Sequence, residues 1–88
     1  MRAERLLVVE DDDIVRGVLS DTLRSQGYEI SCAGDGAEAL KLLERDATDL
    51  ILSDISMPRM DGYALYERVR ARPEWISMPF VFLTALGQ

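Results

Sequence analysis

With 88 residues, 48% of them apolar and 30% charged, the chain is expected to form one globular domain, too apolar for disorder and with no room for a second domain. A net charge of −6 argues against direct nucleic-acid binding, since phosphate backbones reward clustered Lys and Arg. One cysteine, Cys32, and no histidine exclude an internal disulfide and a Cys/His zinc cluster, which suits a cytoplasmic setting, and the apolar run Leu6 to Val9 is too short for a signal segment or a membrane span.

Leu6-Leu7-Val8-Val9 reads as a first strand, covered on both faces in a parallel sheet. The acidic run Glu10-Asp11-Asp12-Asp13 follows at once. From Asp13 to Gln26, Val15, Val18, Leu19 and Leu23 recur at helical spacing while Arg16, Ser20 and Arg24 fall on other faces. Asp12 or Asp13 caps this first helix, and Gly27 stops it. Tyr28 to Cys32 alternates apolar and polar residues, as a strand at a sheet edge does. After the turn Gly34-Asp35-Gly36, the stripe Ala37, Leu40 and Leu43 predicts a short second helix ending near Arg45-Asp46.

Leu50-Ile51-Leu52 reads as a third, buried strand running into Ser53-Asp54. A loop punctuated by Pro58 and Gly62 leads to a third helix, with Leu65, Tyr66 and Val69 on one side and Glu67, Arg68 and Arg70 toward water, and Pro73 ends it. Phe80-Val81-Phe82-Leu83 predicts a fourth buried strand closing on Thr84-Ala85. The alternation β-α-β-α-β-α-β implies an α/β doubly wound parallel sheet, in which ligands collect at the carboxyl ends of the strands.

Three polar groups fall at such ends: Glu10-Asp11, Asp54 and Thr84. Carboxylates forced together repel unless a cation lies among them. Magnesium suits such a place, being hard, oxygen-seeking and often held by one or two carboxylates plus phosphate oxygens. An aspartate beside it can act as a nucleophile toward phosphorus, and Asp54 is the candidate. Thr84 offers a hydroxyl to a phosphoryl oxygen, with the small Ala85 leaving room. Asp12 and Asp13 read more simply as helix-terminal acids, and Asp35-Gly36 and Asp61-Gly62 as turns.

Leu7-Val8-Val9-Glu10-Asp11-Asp12, Asp49 to Pro58, Met60-Asp61-Gly62 and Phe82-Leu83-Thr84-Ala85, in this order, resemble the receiver domains of two-component response regulators over nearly the whole chain. The resemblance implies a flavodoxin-like receiver fold and an Asp54 that accepts a phosphoryl group from a histidine kinase or phosphotransfer protein. It also implies magnesium bound by Asp11, Asp54 and the Ser56 carbonyl, with Glu10 acting mainly through a water, and a Thr84 that turns toward the phosphoryl group. Such a domain is a phosphoacceptor rather than an enzyme. Receivers continue through a further helix, a fifth strand ending in a phosphoryl-pairing lysine, and a last helix. The expectation is therefore a receiver over 1–88 that lacks these three elements, and Lys41, the only lysine, lies on the second helix. Two rival readings are a receiver-like docking or dimerisation module that is not phosphorylated, and a phosphohydrolase with an aspartyl intermediate. In the strand order 2-1-3-4-5 the fourth strand becomes an open apolar edge, which predicts self-association through it.

Overall fold

The computed structural model describes residues 3–83. Four parallel strands lie in the order β2-β1-β3-β4: β1 (Arg5–Val9), β2 (Glu29–Ala33), β3 (Leu50–Asp54) and β4 (Phe80–Leu83). They are joined by α1 (Asp13–Ser25), α2 (Gly36–Arg45) and α3 (Gly62–Arg70). A 3-10 turn at Pro73–Trp75 lies between α3 and β4. The expected doubly wound α/β arrangement is present, and no helix among the described residues is long and apolar enough to cross a membrane.

The continuous apolar run of β1 has its cause in the topology. β1 pairs with β2 on one side and β3 on the other, with Val8 opposite both Cys32 and Leu52. Its side chains alternate between two covered faces, so Leu7, Val8 and Val9 are all fully buried. On one face Leu7, Val9, Ala33 and Ile51 meet Ala39 and Leu43 of α2, Leu65 and Val69 of α3, and Trp75, which form the core. The other face carries α1, packed over β1 and β2.

The helices start where short polar side chains satisfy free backbone N–H groups. Asp12 accepts from Ile14 and Val15 at 2.9 and 3.0 Å and so is the α1 cap, leaving Asp13 in the first turn. Asp35 accepts from Glu38 at 2.8 Å, while Glu38 reaches back to the Gly34 N–H at 2.7 Å, a close relative of the reciprocal capping box. Asp61 caps α3 through the Ala64 N–H at 2.8 Å. The two turns read at Asp35-Gly36 and Asp61-Gly62 are thus helix starts.

Several expected faces are corrected. On α1 it is Ser20 that is fully buried, with Leu19 and Leu23 half-buried, whereas Val15 and Val18 are exposed. The buried line lies over β1 and β2, where Ser20 Oγ meets Cys32 Sγ at 2.9 Å and so enters the interior with its polarity answered. On α2 the stripe runs through Ala39 and Leu43 with Leu40 and Leu42 at its margin, and Ala37 is exposed because it lies on the outer side of the first turn. β2 starts one residue later than the alternation indicates and includes Ala33, which is buried. Arg70 does not point freely to water: its guanidinium lies 4.8 Å from the Tyr66 ring centroid and donates to the Trp75 carbonyl at 3.1 Å. β4 is not buried like β1. Phe80, Phe82 and Leu83 are half-buried and Val81 is exposed, because β4 is the outer strand of the described sheet.

Candidate functional site

The parallel sheet brings the carboxyl ends of β1 and β3 side by side, with Val9 opposite Ser53. The residues that follow these positions therefore project from the same end of the sheet. Glu10, Asp11 and Asp54 meet there, each offering a carboxylate oxygen, and the three oxygens lie within 4.8 Å of one another.

The acidic run Glu10 to Asp13 divides into separate roles. Glu10 continues the sheet, its N–H donating to the Ala33 carbonyl at 3.0 Å, and is buried. Its carboxylate accepts from the Asp12 N–H at 3.1 Å. Asp11 is exposed at the rim, Asp12 caps α1, and Asp13 pairs with Arg16. Arg16 also donates to the Glu10 carbonyl at 2.8 Å, which ties the first turn of α1 to the end of β1. The sequence pattern placed Arg16 on an outer face and did not show this brace.

Electrostatics at this end of the sheet favour a cation. Burial pushes the Glu10 carboxyl above its ordinary range, and the Asp54 and Asp11 charges push the same way, against the lowering effect of the Asp12 N–H. A buried acid facing two more acids is the donor set of a hard divalent ion with oxygen ligands. The residues present fit magnesium on that ground.

Asp54 is held from behind. Ser53 Oγ donates to the Asp54 carbonyl at 2.9 Å, and the Gly62 N–H donates to the Ile55 carbonyl at 2.8 Å, closing the loop 55–62 onto the end of β3. A Cβ added to Gly62 would lie 2.3 Å from the Asp54 carbonyl oxygen and 2.9 Å from the Ile55 Cα. Only glycine permits this approach. Within the loop the Met60 N–H donates to the Pro58 carbonyl at 2.8 Å across Arg59, whose φ is +68°. This tight turn folds the loop back toward α3. Reading Asp61-Gly62 as a turn missed the role of Gly62. The available signal was a glycine at the first helical position, where propensity favours almost any other residue.

Of the other expected site residues, Ser56 lies two positions beyond Asp54 in this loop, exposed, and Thr84 lies outside the described residues. Lys41 is exposed on α2.

The comparisons agree with this geometry. Residues 6–88 match the family model described as response regulator receiver domain. The chain is 45% identical over 80 residues to the sensor histidine kinase RcsC of Salmonella typhimurium, covering 91% of this chain and 8% of that protein. Chemotaxis protein CheY4 of Vibrio cholerae superposes with a TM-score of 0.92 at 33% identity, over 99% of this chain and 72% of the other. The receiver domain of sensor histidine kinase PA1611 from Pseudomonas aeruginosa PAO1, solved with a magnesium ion coordinated in its active-site cleft, superposes with a TM-score of 0.89 at 34% identity, over 97% and 70% of the two chains. With a family match over nearly its whole length and the acidic cluster at the strand ends, the chain belongs to the response regulator receiver domain family.

Proposed function

We propose that the chain is a phosphoacceptor domain in which Asp54 takes a phosphoryl group from the phosphohistidine of a histidine kinase or phosphotransfer protein, with magnesium held by Asp11, Asp54 and the Ser56 carbonyl. The observation that carries this reading is the convergence of Glu10, Asp11 and Asp54 within 4.8 Å. The kinship with receiver domains of sensor kinases supports a kinase partner, and the free Cys32 suits a cytoplasmic setting.

An Asp54 carboxylate oxygen attacks phosphorus as the phosphorus–nitrogen bond of the donor breaks. The product is an acyl phosphate, and the imidazole leaves with the electron pair. Gly62 and Ser53 fix the backbone from which the nucleophile projects, so little reorganisation is needed at the moment of attack. Glu10, buried below the rim, adds negative charge beneath the cluster and would act on a bound divalent ion through a water. Magnesium, when bound, supplies neutralisation of the phosphoryl oxygens and of the clustered carboxylates. Thr84, at the next position after β4, donates its hydroxyl to a phosphoryl oxygen.

Incubation with acetyl phosphate and magnesium, followed by intact-mass measurement, is expected to show one added phosphate that is lost with chelator and with Asp54→Asn. An unphosphorylated wild-type chain would overturn this reading.

A further inference from the structure

Residues 10–12 carry the chain from the end of β1 to the start of α1, and Asp11, the middle one, is exposed at the rim. An exposed acid on a short connection reaches a defined point in space only where the backbone on either side of it is held. The sheet holds one side incompletely. In a parallel ladder the bond from the Glu10 N–H to the Ala33 carbonyl would be followed by one from the Asp35 N–H to the Glu10 carbonyl. β2 stops at Ala33, and the Gly34 N–H turns to Glu38 Oε1 at 2.7 Å. The ladder ends one bond short, at the carbonyl that leads into Asp11.

Arg16 supplies the donor. Its Nη1 donates to the Glu10 carbonyl at 2.8 Å, and its backbone N–H donates to the Asp12 carbonyl at 2.9 Å. The residues on both sides of Asp11 are therefore tied to a single residue of α1. Asp13 orients the guanidinium through Nη2, and the same group lies over the β2–α2 turn, where a Cβ on Gly34 would be 3.5 Å from Nη1. The Arg16 side chain is 24% exposed, so its bond to Glu10 is sheltered from competing water.

We propose that Arg16 is a positioning residue of the metal site, which sets magnesium affinity by holding the backbone of residues 10–12 so that the Asp11 carboxylate joins those of Glu10 and Asp54. This rests on the reading of the acidic cluster as a magnesium site. Arg16 acts through geometry and against its own charge. A guanidinium near the cluster repels a divalent cation, so charge alone predicts tighter binding once it is removed. Positioning predicts the opposite sign.

Amide chemical shifts followed through a titration of the chain with magnesium chloride, with no phosphoryl donor present, test this. Arg16→Met keeps the apolar stem, removes the donors and is expected to weaken magnesium binding about tenfold. Arg16→Lys keeps the charge but offers one ammonium in place of the planar fork, and is expected to lose about threefold. Arg24→Met, which takes the same charge from the last turn of α1, is expected to bind magnesium as wild type. In the metal-free chain the Asp12 amide, which donates to the Glu10 carboxylate, is expected to exchange with solvent at least about fivefold faster in Arg16→Met, with that of buried Leu7 unchanged. Unaltered or tighter magnesium binding in either Arg16 variant overturns the inference. A wild-type chain whose shifts do not respond to magnesium overturns the magnesium reading and the inference together, whereas magnesium binding without phosphorylation of Asp54 overturns the phosphoacceptor reading alone.

Discussion

β1 and β4 are built from nearly the same material, an uninterrupted apolar run, and have different fates. Val8 is fully buried, while Val81 is 43% exposed. Among the described residues, the run of β1 is answered by two neighbouring strands and by helices on both faces, and that of β4 by one strand and by α3 with its aromatic side chains. A continuous apolar pattern thus specifies a strand that can be buried. Burial itself is conferred by what the rest of the chain places around it.

The sharpest way to break the comparison is to put one charge in both strands. Val8→Lys would bury an ammonium group with no partner and is expected to cost more than about 4 kcal/mol, enough to unfold a marginal domain. Val81→Lys is expected to stay within about 0.5 kcal/mol of wild type. Urea titration of both variants checks the contrast, and similar losses would show that β4 is as enclosed as β1.

Two glycines offer a second contrast, between rigid and yielding surroundings. Gly62→Ala drives a methyl group into the backbone of Asp54 and is expected to cost about 1–3 kcal/mol and to slow phosphorylation by acetyl phosphate. Gly36→Ala meets only the flexible side chain of Met60, at 2.6 Å from its sulfur, and is expected to cost well under half as much. Thermal melts of the pair decide whether the glycine behind Asp54 is the costlier one.

At the junction between β1 and α1, Asp12→Ala removes a cap that accepts two N–H groups and is expected to cost about 1 kcal/mol, read by urea denaturation. Asp13→Ala, which loses only a partly exposed ion pair with Arg16, is expected to cost less than about half of that.

The smallest expected effect is the pH dependence contributed by Glu10. Its folded carboxyl titrates above the ordinary value of 4.5, so between that value and the raised one the folded chain holds more proton than the unfolded chain. Stability contributed by this group therefore falls as pH rises through that window. Chelator-treated protein melted across it should show the decline, and Glu10→Gln should flatten it. Added magnesium is expected to offset the decline by binding the folded, ionised form.

The site was legible in the sequence where chemistry and strand ends coincide. Glu10, Asp11 and Asp54 each follow an apolar run, and a parallel sheet aligns such ends whatever the connecting helices contain. The division of the acidic run was half legible: Asp12 and Asp13 looked like helix-terminal acids, but only the fold separates the cap from the ion pair. Gly62 and Arg16 were not legible as parts of the site. One acts by having no side chain against a backbone distant in sequence, and the other through a carbonyl six residues earlier. On α1, periodicity misplaced Val15, Val18 and Ser20, because a helical stripe records where apolar residues lie and not how wide a surface receives them.

Taken alone, the sequence determined the order of elements, the parallel α/β class and the identity of the acidic residues, since period, turn chemistry and residue type are local properties that neighbouring atoms enforce. The tertiary structure decided which apolar strand is enclosed, which acid caps and which points into the cluster, and why glycine stands behind Asp54. Those outcomes depend on contacts between segments far apart in the chain, where burial and distance, rather than pattern, set the energy.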